Sequence, residues 1–253
     1  MIKNKIGAII LAAGKGKRMN AKKTNKVTFM LGGKPMLLHI VHVLRGLNIN
    51  PIVVVIGFAK ESVKNLFKNE VQFAEQKKRL GTAHATHKGL KVLPGDIAHV
   101  FILNGDDSAF YTVDLLKTLL KEHLKNKNEI TFLTLTVSSP YGLGRIVRDN
   151  KGNISAIVEE KDATARQRKI KEINPACYLF ETSFLRKHLP KVKKSKVTNE
   201  YYLVSLIEMA IKQGSNIQGI KGGRMRWRGI NTKEELKDAE NLFKSINRSS
   251  LSI

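Results

Sequence analysis

The chain has 253 residues, 45 Lys and Arg against 21 Asp and Glu, a formal net charge of +24, and 42% hydrophobic residues. Its length suits one large α/β domain or two small ones. No apolar run approaches the roughly 20 residues that span a bilayer, and the single cysteine, Cys177, cannot form an internal disulfide, which fits a reducing cytoplasm. The positive field attracts polyanions and steers small anionic substrates. No aromatic-interleaved basic platform of the kind that binds single strands is present, so the lysines read as solvated surface and nucleic acid is not expected as a partner.

The beginning, MIKNKIGAIILAAG, combines a basic lead with a short apolar stretch. It runs straight into a glycine loop without a small-residue cleavage site, so it reads as a buried first strand and not as a signal peptide. After Pro35, the residues Met36, Leu37, Ile40, Val41, Leu44 and Leu47 recur at helical spacing. PIVVVIG is a second buried strand, followed by a short helix, the segment VQFAEQ, and a helix from about Thr82 to Val92. HVFILNGDD is a third buried strand ending in acids, and TVDLLKTLLKEHLK is an amphipathic helix.

EITFLTLTV reads as a strand, GRIVRDNKGNISAIVEEK as two strands around the turn DNKGN, and EINPACYLFE as another strand. Helices follow near SFLRKHL and over NEYYLVSLIEMAIKQG, with the basic run KVKKSK as a loop between them and Gly214 as a helix stop. GIKGGRMRWRGIN is strand-like, and TKEELKDAENLFKSI closes the chain as a helix with Thr232 as its cap. Alternating strands and helices in the first half predict a sheet with helices on both faces. Ligands in such sheets bind outside the carboxyl ends of the strands. That rim would carry the loops after Ala12, Phe73 and Leu103.

Three constellations carry chemistry. In LAAGKGKRM, Gly14 and Gly16 let backbone N–H groups approach phosphate oxygens, while Lys15, Lys17 and Arg18 supply charge. The loop lacks the third glycine of the Rossmann fingerprint and the Gly-Lys-Ser/Thr of a Walker loop. In NGDD, Asp106 or Asp107 at a strand end could hold a hard cation beside substrate phosphates, although Asn-Gly and Asp are also ordinary turn formers. In EQKKRLGTAHA, a glycine and a threonine open a helix whose first N–H groups face outward. The i, i+3 pairs His39/His42 and His84/His87 lack a matching Cys or carboxylate set for zinc and read as packing or surface histidines.

Nine segments stand in one family's order: LAAGKGKRM, Lys26, LGGKPML, EQKKRLGTAHA, NGD, GRIVRDNKGNISAIVEEKDAT, KEINPACYLFE, NEYYL and GIN. The chain resembles the sugar nucleotidyltransferases over roughly residues 6 to 245. Within them it is similar to the uridyltransferase domain of the bacterial bifunctional N-acetylglucosamine-1-phosphate uridyltransferases. The resemblance implies a Rossmann-like α/β/α sandwich with a mostly parallel mixed sheet. The chain is expected to form a single domain over 1–253, without the C-terminal left-handed β-helix that the family carries. The resemblance implies nucleotide contacts at Leu11, Ala12, Gly14, Lys15, Gly16, Gln76, Gly81 and Thr82, catalytic cations at Arg18 and Lys26, Mg²⁺ on Asp106 and Asn231, and sugar contacts at Gly144, Glu159 and Asn174.

The reaction implied is NTP plus sugar 1-phosphate giving NDP-sugar and pyrophosphate in the cytoplasm, with UTP and N-acetylglucosamine 1-phosphate favoured. Glucose 1-phosphate or another sugar phosphate is the alternative acceptor, and a nucleotide- or nucleic-acid-binding protein with weakened catalysis the alternative class. Several residues depart from the family's pattern. Leu143 stands between Gly142 and Gly144 in place of an aromatic, and Asn104 in place of a tyrosine. Pro175 and Ala176 follow Asn174 in place of a small hydroxyl and a glycine, Ser205 and Arg228 replace acids, and TNK replaces a proline before Lys26. Most of these lie on the acceptor side, and Arg228 would add a cation near Asn231.

Overall fold

The computed structural model describes residues 5–19 and 21–250. The basic lead at residues 1–4 and the side chain of Lys17 lie outside the described residues. In chain order the strands are β1 (Ile6–Ala12), β2 (Met30–Leu31), β3 (Lys34–Pro35), β4 (Ile52–Ile56), β5 (Gln72–Glu75), β6 (His99–Asn104), β7 (Ile130–Thr136), β8 (Gly144–Arg148), β9 (Ile154–Val158), β10 (Glu172–Asn174), β11 (Cys177–Glu181) and β12 (Ile217–Lys221). The helices are α1 (Met36–Gly46), α2 (Lys60–Lys64), α3 (Thr82–Val92), α4 (Val113–Lys125), α5 (Ala165–Arg168), α6 (Thr182–His188), α7 (Ser205–Lys212) and α8 (Lys233–Ser250). None is long and apolar enough to cross a membrane.

Ten strands form one mixed sheet in the order β5-β4-β1-β6-β11-β7-β10-β8-β9, with β12 beside β7. Following the pairings, β5, β4, β1, β6, β7, β12 and β8 run one way, and β11, β10 and β9 run against them. The sheet is therefore mostly parallel in direction.

Alternation along β1 sorts its apolar residues between two cores. Ile9 faces α3, α6 and α7 through Leu90, Leu185, Leu206 and Ile207. Ala8, Ile10 and Ala12 face α1 and α4 through Leu37, Ile40, Leu44 and Leu116. Burial on both faces is why the strands read as unbroken apolar runs.

Register then builds the site. Ala12 pairs Ile56, Ile56 pairs Glu75, and Leu11 pairs Asn104, so four carboxyl ends lie level. The rim named from sequence is the one observed.

Three expected elements differ in the structure, and β2, β3 and α5 are additional to the sequence reading. The single strand expected over EINPACYLFE is two, β10 and β11, because the chain turns at Pro175 and Ala176, whose φ is +56°. The helix expected from NEYYL begins only at Ser205, because the segment before it is tied elsewhere. Tyr201 N–H donates to the Leu80 carbonyl (2.8 Å), Ala83 N–H to the Tyr201 carbonyl (2.9 Å), and Leu203 N–H to the Thr82 hydroxyl (2.9 Å). The strand expected over GIKGGRMRWRGIN is Ile217–Lys221, and the chain then leaves the sheet edge at Gly222. The cap on α8 is as expected: Thr232 and Glu235 exchange side-chain-to-backbone bonds in a capping box.

Candidate active site

The glycine loop leaves β1 at Ala12 and turns at Gly16, whose φ of +59° suits glycine. Its fixed point is Asn25, which is fully buried. The Asn25 amide donates to the carbonyls of Ala12 (2.9 Å), Gly14 (3.3 Å) and Phe58 (2.8 Å), and its Oδ1 accepts the Val27 N–H (3.2 Å). One side chain thus binds the loop to the start of the turn that carries Lys26. The TNK departure marked this position in sequence, but not its task.

Lys26 reaches across the strand ends. Its ammonium pairs with the Asp106 carboxylate and donates to Asn231 Oδ1 (3.1 Å) and the Ile230 carbonyl (3.1 Å). Burial works against this charge. The Asp106 and Asp107 carboxylates outweigh it and hold the Lys26 pKa above the ordinary lysine value. Asp106 and Asn231, remote in sequence, therefore share one cation. Two hard oxygen donors converging this way fit Mg²⁺, which takes one or two carboxylates and completes its shell with phosphates and water.

Asp107 is separated from this pair. Its Oδ1 accepts the Ile230 N–H (3.2 Å), Asn104 donates to its Oδ2 (3.3 Å), and its carbonyl accepts the Trp227 indole N–H (2.8 Å). Burial and the adjacent Asp106 push the Asp107 carboxyl up to about 7.

Gln76 follows β5 and is buried. Its amide nitrogen donates to the Gly81 carbonyl (3.0 Å) and to His84 Nδ1 (2.9 Å). Burial and the Lys88 charge lower the His84 pKa, which favours the neutral ring with an acceptor nitrogen. The Gly81 carbonyl can only accept, so it fixes which way the amide points. Both N–H groups of Gln76 are therefore spent within the protein, and Oε1 remains.

Gly81 has φ +104°, and a Cβ there would stand 2.4 Å from the Tyr201 carbonyl. Glycine is required by that approach. The expectation of free N–H groups at the start of α3 is corrected in part, since the Ala83 N–H is taken by Tyr201.

On the acceptor side, Gly144 and Asn174 are register partners across β8 and β10. Asn174 donates to the Tyr178 hydroxyl, and its Oδ1 accepts the Ala176 N–H (3.1 Å). Its carbonyl is thus occupied within the protein. Glu159 follows β9, and burial with the nearby Asp162 and Glu200 pushes its carboxyl up to about 7. The wall at Leu143 is held by a clamp. Fully buried Arg145 donates to the Leu143 carbonyl and pairs with Glu160 (2.6 Å), which also accepts the Gly142 N–H (3.1 Å). Arg228 does not add a free cation near Asn231, because it pairs with Asp238 on α8 (3.1 Å).

Two cavities result. One of about 640 Å³ is lined by Leu11, Ala12, Gly14, Lys15, Gly16 and Arg18 of the glycine loop, with Lys26, Gln76, Gly81 and Thr82 opposite. The other, about 180 Å³, is lined by Gly144, Glu159 and Asn174. Leu11, Thr82, Asn104, Asp106 and Asn231 line both. The residues expected on nucleotide, metal and sugar thus fall into two adjoining spaces with Asp106 and Asn231 at the junction. Sequence reasoning missed Asn25, the Arg145–Glu160 clamp and the bracing by Tyr201, since each acts through contacts formed only on folding.

The sequence profile of the nucleotidyl transferases matches residues 7–245. The chain belongs to this family of nucleotidyltransferases. It is 42% identical over 248 residues to the bifunctional protein GlmU of Caldicellulosiruptor saccharolyticus, covering 96% of this chain and 53% of that protein. It is 38% identical over 246 residues to the protein of the same name from Neisseria meningitidis, covering 97% and 53%. This nucleotidyltransferase therefore spans about half the length of the curated relatives it matches. Its fold is similar to that of a Bacillus anthracis chain described as a glucose-1-phosphate thymidylyltransferase in complex with a sucrose, with a TM-score of 0.79, 20% identity, and 94% and 95% of the two chains covered.

Proposed function

We propose that this nucleotidyltransferase joins UTP to N-acetylglucosamine 1-phosphate, releasing pyrophosphate, with Mg²⁺ held by Asp106 and Asn231. An oxygen of the sugar phosphate attacks the α-phosphorus. The bond from that phosphorus to the bridging oxygen breaks, and pyrophosphate leaves with the electron pair. Bound Mg²⁺ would neutralise charge developing on the phosphate oxygens. The protein's own part is positioning and electrostatics. The glycine loop offers backbone N–H groups to the triphosphate, Arg18 and Lys26 bring charge to it, and Glu159 accepts hydrogen bonds from the sugar.

The observation that carries this reading is the junction of the two cavities at Asp106 and Asn231. A nucleotide on the glycine-loop side and a sugar phosphate on the Glu159 side would meet there. Gln76 supports uracil, since its remaining Oε1 suits the N3–H of a uracil or thymine ring. The Glu159 carboxylate, which has no hydrogen-bond partner among the described residues, can accept an acetamido N–H, which supports the N-acetylated acceptor over glucose 1-phosphate. Such chemistry draws on the nucleotide pool of the cytoplasm, and one domain of this size suffices for it. The test is pyrophosphate release with UTP, dTTP, CTP, ATP and GTP, each against N-acetylglucosamine 1-phosphate and glucose 1-phosphate. The pair UTP and N-acetylglucosamine 1-phosphate should give the highest kcat/KM. A clear preference for a purine nucleotide or for glucose 1-phosphate would overturn the assignment.

A further inference from the structure

Asp107 is a buried residue at the end of β6 whose carboxylate is hydrogen-bonded away from Lys26 and takes no part in the reaction above. Three contacts leave it. Its Oδ1 accepts the Ile230 N–H (3.2 Å), its Oδ2 accepts from the Asn104 amide (3.3 Å), and its carbonyl accepts the Trp227 indole N–H (2.8 Å). Two of these three hold the turn that ends in Asn231. That turn has no strand to hold it, since β12 ends at Lys221 and α8 starts only at Lys233. It is braced also by Glu235, which accepts the Asn231 N–H (2.6 Å), and by Lys26, which donates to the Ile230 carbonyl and to Asn231 Oδ1 (both 3.1 Å).

We propose that Asp107 is a positioning residue: by binding the Trp227–Ile230 turn to the end of β6, it sets Asn231 opposite Asp106 and so tunes the affinity of that pair for a divalent cation. Preorganisation of the turn is what Asp107 supplies. An amide oxygen is a weak neutral ligand, useful only if it is already in place. An irregular turn left free would lose affinity to its own conformational entropy. A buried carboxylate costs stability unless something is gained from it. Its removal should therefore leave the fold intact and weaken the metal. The idea rests on Asp106 and Asn231 being the metal pair.

The chain has a single tryptophan, Trp227, so the turn carries its own reporter. Mn²⁺ is titrated into the full chain in the presence of UTP, read by Trp227 fluorescence and water-proton relaxation, with a thermal melt of each variant. Asp107→Val, close in volume but leaving the buried Ile230 N–H without an acceptor, should fold with a Tm at or somewhat below that of the wild type and need about tenfold more Mn²⁺ for half-saturation. Asp107→Asn, which can still accept the Ile230 N–H, should restore affinity to within about threefold. The kcat at saturating metal should change far less than the half-saturating concentration. Trp227→Phe removes the indole bond with part of the ring's packing, leaves the Asp107 carboxylate in place, and should weaken Mn²⁺ by about threefold, read by relaxation alone. It keeps the test open if Asp107→Val fails to fold.

Unchanged half-saturation in folded Asp107→Val, or in Trp227→Phe where the first does not fold, overturns the proposal. Asp106→Ala distinguishes the two assignments. If it too leaves Mn²⁺ binding unchanged, the metal pair itself is wrong. If it abolishes binding while Asp107→Val does nothing, only the positioning role falls.

Discussion

The ammonium of Lys26 and the carboxylate of Asp106 form an ion pair in which each side chain is 13% exposed, and the same ammonium also binds Asn231. A cation of the protein's own thus rests on the two residues assigned to Mg²⁺. Removing one member of a nearly buried pair leaves the other charged and unpartnered, a loss of about 3–5 kcal/mol in comparable cases. Lys26→Met should lower kcat/KM by about 10²-fold or more. It should also make the Tm more responsive to Mg²⁺ than in the wild type, because Asp106 then lacks its internal partner. A melt with and without Mg²⁺ checks this, and equal shifts in both proteins would contradict it.

Asp106→Ala should cut kcat by at least about 10²-fold, the scale seen when one electrostatic contact to a transition state is lost. Circular dichroism should be unchanged, since the strand and its neighbours are held by β1 and β11 and not by this side chain. Turnover near wild type would exclude Asp106 from the metal.

Gln76 presents an acceptor because its donors are committed to Gly81 and His84. UTP and dTTP should both be used, and CTP, whose N3 carries no proton, should be worse by about 10²-fold or more, as buried polar groups left unpaired impose strong rejection. Gln76→Leu should lose UTP activity and narrow the UTP to CTP ratio. Competition assays with both nucleotides give the ratio directly, and a retained ratio in the variant would remove Gln76 from base selection.

Glu159, pushed up to about 7 by burial and its acidic neighbours, accepts hydrogen bonds fully only when ionised. The KM for the acceptor should rise about tenfold from pH 8 to pH 6, as the ionised fraction falls by that factor. Because the folded pKa lies above the unfolded one, the folded state binds the proton more tightly. Stability from this group is then present at low pH and lost as pH rises from 4.5 through about 7. Glu159→Gln should abolish this part of the KM profile, bind acceptor poorly, and melt a few degrees higher at pH 8. Dividing the wild-type profile by the variant's cancels the titration of the substrate phosphate. A sloping wild-type profile matched by the variant would point to another group.

Asn25→Ala should destabilise the chain by about 1–3 kcal/mol, the cost of leaving buried carbonyls without donors. It should raise the KM for nucleotide more than that for sugar phosphate, because Ala12 and Gly14 belong to the glycine loop. Denaturant melts and separate KM measurements test both halves. Equal effects on the two substrates would mean that Asn25 supports the fold alone.

The sequence by itself determined most of the strand-and-helix order, the rim on which the loops gather, and many of the residues that line it. These depend on local patterns: apolar runs buried on both faces, the Thr82–Val92 helix, the Thr232 capping box. They depend also on segments such as LAAGKGKRM and NGDD, whose residue types already suit phosphate and metal. Only the tertiary structure decided how these residues are used. Asn25 looked like a departure from a proline and became the anchor of the glycine loop. Asp106 and Asp107 were equal on paper, and folding gave one to Lys26 and Asn231 and the other to the Ile230 N–H. Arg228 looked like a free cation and is spent on Asp238. Gln76 lost its donors to Gly81 and His84. The reason is common to all four. A side chain's donors and acceptors belong to whichever partners the long-range packing brings within about 3 Å, and those partners lie up to some 200 residues away, as between Lys26 and Asn231.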